Sequence, residues 1–171
     1  AAESSLAEIL REDGLSPAGW RHQLRAGLRG FLLSALPVAI LAAAVHLLGL
    51  RPVDEPSHSM LKLLQDDPRI SIVLQVAVVV VVLAPLVEEW VFRVVLQGFL
   101  QISIPPAVAV LVSAFVFAVI HPWPNPIPLL PLAIMLGLVY QRENSALAAV
   151  TVHSLFNLVN LVLFLLAPEA V

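Results

Sequence analysis

Four stretches of the chain, residues 31–50, 70–87, 102–120 and 145–167, contain no Asp, Glu, Lys or Arg. A hydrocarbon layer of about 30 Å is crossed by roughly 17–25 helical residues, so three of these runs are long enough outright and 70–87 just reaches the range. Inside lipid a backbone must satisfy its own hydrogen bonds, which a helix does and an open strand cannot. The valine run 78–82, which in water would suggest a strand, is therefore expected to be helical. Charged residues make up 12% of the chain, against roughly 25% for a soluble domain, as expected when much of the surface faces lipid. The fold class that follows is all-α: a polytopic helical membrane protein with about five transmembrane helices. The fifth comes from the shorter run 126–140, which passes as a span only with a broken helix at one end.

The chain divides into three parts. Residues 1–30 form a polar, amphipathic juxtamembrane segment. Ser5 and Glu8 have capping-box spacing, Gly14 ends that short helix, and Ser16–Pro17 starts the next. Trp20, Leu24 and Leu28 then make one stripe beside a second of Arg21, Arg25 and Arg29, the pattern of a helix lying in the membrane interface with its arginines among headgroup phosphates. Residues 31–69 hold the first span and an aqueous loop rich in charge. Residues 70–167 form the helical core, kinked at Pro85 and interrupted after His121 by Pro-Trp-Pro-Asn-Pro-Ile-Pro. Cysteine is absent, which removes disulfides and thiolate chemistry. No signal peptide is expected, since the first apolar run begins only at Phe31.

Against this background Glu88, Glu89 and Arg93 stand out, because after Arg93 no charged residue recurs until Arg142. An ionisable group at the bilayer centre costs about 2.5–3.5 kcal/mol or more, so its default reading is functional. Glu89 and Arg93 are four apart and share a helix face, which suits a buried ion pair. Glu88 lies about 100° round the helix and points elsewhere. His121 follows Phe117 by four residues, and His153 precedes Asn157 by four and Asn160 by seven. Each alone reads equally as a hydrogen bond between helices, a fair account of Asn160. Measured from the turns near 101–105 and 142–144, however, Glu88, His121 and His153 lie at depths of about 20, 24 and 12 Å. Polar groups from three helices thus gather at overlapping depths, the pattern of an intramembrane site.

A carboxylate, two imidazoles and an amide suit hydrolysis. Glutamate can act as general base on water, and Asn and His can donate to the oxyanion of a tetrahedral intermediate. Two His and one Glu, here Glu88, His121 and His153, are also a catalytic zinc ligand set, although no HExxH spacing is present. A cofactor is therefore left open, with zinc the candidate.

Glu88-Glu89-Trp-Val-Phe-Arg93 resembles the EExxxR motif of the CPBP family, the CAAX-protease and bacteriocin-processing (ABI) membrane proteins. Phe117-Ala-Val-Ile-His121 is similar to its FxxxH motif and His153-Ser-Leu-Phe-Asn157 to its HxxxN motif, in the family's order. The resemblance covers about residues 70 to 167. It implies an intramembrane endopeptidase related to the type II CAAX prenyl endopeptidases, in which Glu88 and His121 activate water, His153 and Asn157 hold the oxyanion, and Glu89 with Arg93 fixes the helix. Val94 departs from the glycine often found after the motif arginine. The implied partners are membrane lipid and a membrane-anchored peptide or protein, with no nucleic acid. The implied location is a bacterial or archaeal plasma membrane with the N-terminus in the cytoplasm, the side favoured by the early arginines. The competing reading is a non-catalytic membrane protein of the same fold, with an immunity, scaffold or transport role.

Overall fold

The computed structural model describes residues 19–50, 63–64 and 69–166. The expected capping box at Ser5, the helix start at Ser16 and most of the loop before Arg69 lie outside the described residues. Among the described residues five long helices follow in order: α1 (Trp20–Leu47), α2 (Ile70–Gln101), α3 (Pro106–Val119), α4 (Pro126–Glu143) and α5 (Ala146–Leu166). The protein is an all-α membrane protein. Three helices, α1, α2 and α5, are long and apolar enough to cross a bilayer, and α3 is a shorter apolar helix.

Residues 20–47 form one unbroken helix, so no break marks residue 30, where the juxtamembrane segment was expected to give way to the span. At 1.5 Å per residue its 28 residues extend about 42 Å, beyond the hydrocarbon layer. The exposed Arg21, Arg25 and Arg29 occupy its first turns, with the Arg21 guanidinium 5.3 Å from the Trp20 ring. Gly27 and Gly30 are buried and let α1 lie against its neighbours. A Cβ on Gly27 would stand 2.5 Å from the Thr151 Cβ, and one on Gly30 would stand 2.8 Å from a Val139 methyl. Close backbone approach at small residues is how membrane helices gain packing when lipid supplies no hydrophobic drive between them.

Helix α4 is the central element, packed against α1, α3 and α5. Leu132, Ala133 and Leu136 are fully buried. Its neighbours, rather than lipid, cover it, which explains why its sequence was the weakest candidate span. The lipid-facing sides carry exposed Leu33, Leu36 and Ile40 of α1, and Val87 and Trp90 of α2. The proline-rich segment is irregular over a shorter stretch than the sequence implied. The break covers residues 120–125, including a cis Trp123–Pro124 bond, and α4 begins at Pro126. Pro126 and Pro128 fall in its first turn, where backbone N–H groups have no intrahelical acceptor and proline forfeits nothing.

Candidate active site

Helix α2 departs from α geometry on both sides of the Glu-Glu pair. Val78–Leu83 and Trp90–Gln97 are π-helical, and Ala84–Glu89 between them is α-helical. Such widened turns inside helices are rare and concentrate at functional sites. In the first widened stretch the Ala84 N–H bonds five residues back, to the Val79 carbonyl. The next bond in that register would run from residue 85 to Val80, but proline has no N–H to give. Asn157 of α5 fills the gap: its Nδ2 donates to the Val80 carbonyl at 2.8 Å. The bond thought lost at Pro85 is replaced from a neighbouring helix, which ties Asn157 to α2.

Glu89 and Arg93 are fully buried, and Arg93 Nε donates to Glu89 Oε2 at 2.8 Å, the pairing read from their spacing. Arg93 Nη1 also donates to Ser113 Oγ at 3.2 Å, and that hydroxyl donates to the Phe92 carbonyl at 2.8 Å. The guanidinium carbon stands 5.2 Å from the Phe117 ring centre.

His153 adds what spacing did not show. Its Nδ1 lies 2.8 Å from Glu89 Oε1 and its Nε2 lies 3.7 Å from Glu88 Oε2. Consecutive glutamates diverge round the helix, and this imidazole sits in the wedge between them. The expectation that Glu88 points away from Glu89 is thus only half the geometry, because one ring meets both carboxylates. Since Glu89 already accepts from Arg93, it is an ionised acceptor and His153 Nδ1 is the donor. His153 Nε2 therefore faces Glu88, whose side chain keeps 31% of its exposure while His153 keeps 5%.

His121 is half-buried in the break, two residues beyond the end of α3. Its Nδ1 is 2.8 Å from the Phe117 carbonyl. A carbonyl can only accept, so Nδ1 carries the proton and a neutral His121 presents Nε2 as an acceptor. The Phe117 ring joins the two histidines, with ring centres 4.9 Å from His121 and 5.6 Å from His153. Asn157, half-buried, keeps a second amide N–H beyond the one spent on Val80. Asn160 bonds the Phe156 carbonyl of its own helix and takes no part.

Sequence reasoning passed over Ser113 and Gln97. Ser113 lies four residues before Phe117 and eight before His121, on one face of α3. Gln97 continues the Glu89–Arg93 face of α2 by another four, and its Nε2 donates to the Gly137 carbonyl at 3.1 Å. Helical spacing alone would have found both.

The zinc alternative needs Glu88, His121 and His153 to converge. Among the described residues no group of three His, Cys, Asp or Glu is arranged to hold a metal ion. Both imidazole Nδ1 atoms are engaged by protein acceptors. These contacts leave the Nε2 atom of each ring available for other chemistry.

Half-exposed Glu88 beside an imidazole, within a helical membrane protein and braced by a buried ion pair, defines an intramembrane site with acid–base capacity. The sequence matches the type II CAAX prenyl endopeptidase Rce1-like family over residues 70–159. That match takes in all three motifs and more than half of the chain, and the protein belongs to this family of CAAX-type membrane proteases. No curated relative matches, and no solved structure does.

Proposed function

We propose that this chain is an intramembrane endopeptidase that hydrolyses a peptide bond near the prenylated C-terminal cysteine of a membrane-anchored substrate, with Glu88 as general base. The observation that carries the reading is the wedge: His153, held by buried Glu89 through Nδ1, directs Nε2 at the half-exposed Glu88 carboxylate. A base must be reachable by water, and its partner must be held in a fixed orientation. Glu88 meets the first need and His153 the second.

Water held between the Glu88 carboxylate and the Nε2 acceptor of His121 gives a proton to Glu88 while its oxygen attacks the scissile carbonyl carbon. Charge develops on the carbonyl oxygen, where protonated His153 Nε2 and the second N–H of Asn157 donate. The C–N bond then breaks, and the proton held by Glu88 passes to the departing amine. The reading is metal-free, because Asn157 shares a face with His153 and suits an oxyanion donor better than a zinc ligand. The protein resides in a bacterial or archaeal plasma membrane with the start of α1 on the cytoplasmic side, in keeping with Arg21, Arg25 and Arg29 there.

The test is cleavage of a farnesylated CAAX peptide by the purified protein in lipid vesicles, with and without chelator. Cleavage that persists in chelator and disappears in Glu88→Gln is the expected result. Loss of cleavage in chelator overturns the metal-free step, and full cleavage by Glu88→Gln overturns the assignment of the base.

A further inference from the structure

Glu89, Arg93, Gln97 and Gln101 follow one another at four-residue intervals along α2 and share a face turned into the protein. Each of the last three rungs carries a polar atom sealed from solvent and without a hydrogen-bond partner in the protein: Arg93 Nη2, Gln97 Oε1 and Gln101 Nε2. The orientation of Gln97 is fixed by chemistry, because the Gly137 carbonyl can only accept, so Nε2 faces it and Oε1 is left over. Arg93 and Gln97 are wholly buried. Buried polar groups are nearly always paired, and where protein supplies no partner, ordered water does. One such atom would be a local defect. Three in succession, alternating donor, acceptor and donor, describe a line of binding positions for water.

That line has two ends. At one, Arg93 holds Glu89, which holds His153 beside Glu88. At the other, Gln101 directly precedes the turn at 102–105, where Ile102 and Ser103 are exposed. The interval from residue 89 to 101 is at most about 18 Å of helix. This end of the bundle is also where α1 begins and α4 ends, as the His22–Glu143 contact of 3.3 Å shows.

We propose that the Arg93–Gln97–Gln101 face of α2 binds a file of ordered water molecules connecting the catalytic cluster to the aqueous side on which α1 begins. The proposal rests on the hydrolytic reading for its purpose. Each peptide bond cleaved consumes one water, whose oxygen ends on the acyl product and whose protons are shared between the two products. Glu88 keeps 31% of its exposure, and this face adds a polar approach to the cluster through the protein from the side on which α1 begins. Arg93 and both glutamines are here positioning residues for water, not groups that touch the substrate.

A structure of the wild-type protein in lipid, at a resolution that shows ordered water, is the primary test and needs no substrate. Water within hydrogen-bond distance of Arg93 Nη2, Gln97 Oε1 and Gln101 Nε2 is expected. A dry face, closed by protein atoms, overturns the proposal even if the protease reading holds. The second test is kinetic, on Gln101→Leu, whose half-buried position tolerates an apolar side chain. Its kcat should fall severalfold with KM unchanged, because the last water position before the turn is lost while the substrate contacts are not touched. Gln101→Glu, which can still hold water, should recover most of that loss. Unchanged kcat in Gln101→Leu, or equal loss in both variants, contradicts the water file. Failure of the protease reading shows separately, as wild-type protein that cleaves nothing whatever the state of this face.

Discussion

Replacing Arg93 with Met keeps most of the side-chain volume and removes only the charge and its donors. In the wild-type protein Nε bonds Glu89 at 2.8 Å and Nη1 bonds Ser113 at 3.2 Å, with both ion-pair partners fully buried. Ser113 loses little, because its hydroxyl still donates to the Phe92 carbonyl. Glu89 loses its neutralising charge, and breaking a buried pair from one side costs about 3–5 kcal/mol. A tenfold change in an equilibrium is worth about 1.4 kcal/mol, so the folded-to-unfolded ratio should drop by roughly 10²- to 4 × 10³-fold. The assay is folded yield and thermal unfolding in detergent micelles, read beside the double variant Arg93→Met/Glu89→Gln. The double variant removes both charges and keeps an acceptor for His153 Nδ1, so it should be more stable than the single one. Arg93→Met as stable as wild type, with only turnover reduced, would mean that Arg93 contacts substrate and that the buried pair is not what holds α2.

Glu88→Gln should lower turnover by about 10²–10⁴-fold, the usual worth of a general base, while binding of an uncleavable substrate analogue stays within error of wild type. Asn157→Ala should act twice: the Val80 carbonyl left bare costs about 1–3 kcal/mol of stability, and loss of an oxyanion donor costs about 10²–10³-fold in turnover. Adding Pro85→Ala restores an N–H in register with Val80, so thermal unfolding should recover while turnover does not; recovery of both would confine Asn157 to a structural role. Gly27→Ala should lower folded yield by an overpacking cost of about 1–3 kcal/mol, because its Cβ meets Thr151 Cβ at 2.5 Å and the Ala148 carbonyl at 2.8 Å. Gly98→Ala, whose nearest neighbour would be 3.8 Å away, is the control expected to fold normally.

The spans were readable because lipid imposes a composition rule, and α1, α2 and α5 obey it. Helix α4 was harder to read because protein covers it, so nothing required its sequence to be lipid-compatible. The length of the break before α4 was over-read for a different reason. A run of prolines signals a break, yet prolines at the first and third helical positions cost no hydrogen bonds, and Pro126 and Pro128 occupy those places. Within the site, the Glu89–Arg93 pair was legible from four-residue spacing because both partners lie on one helix. The bond from Asn157 to Val80 was not, since it joins residues 77 apart in sequence and exists only because a π-helical register meets a proline.

The same limit applies to His153, and it bears on why the chain carries two adjacent glutamates. A single carboxylate could not both neutralise a buried arginine and stay accessible to water. Burial that makes the ion pair strong also excludes the reactant. Adjacent positions on a helix diverge by about 100°, which lets one carboxylate turn inward and the next keep partial exposure. Glu89 has gone fully inward and Glu88 has not. What prevents the two from becoming independent is the imidazole between them: through Nδ1 it is held by the structural glutamate, and through Nε2 it addresses the exposed one. Exchanging the two roles would require rotating α2 by most of a third of a turn, which the Arg93–Ser113 and Asn157–Val80 bonds oppose from opposite sides of the motif. Glu89→Leu, which offers His153 Nδ1 no acceptor, should therefore disturb activity through the orientation of His153, and Glu88→Gln through the chemistry itself. Only the first should also lower the thermal stability of the protein.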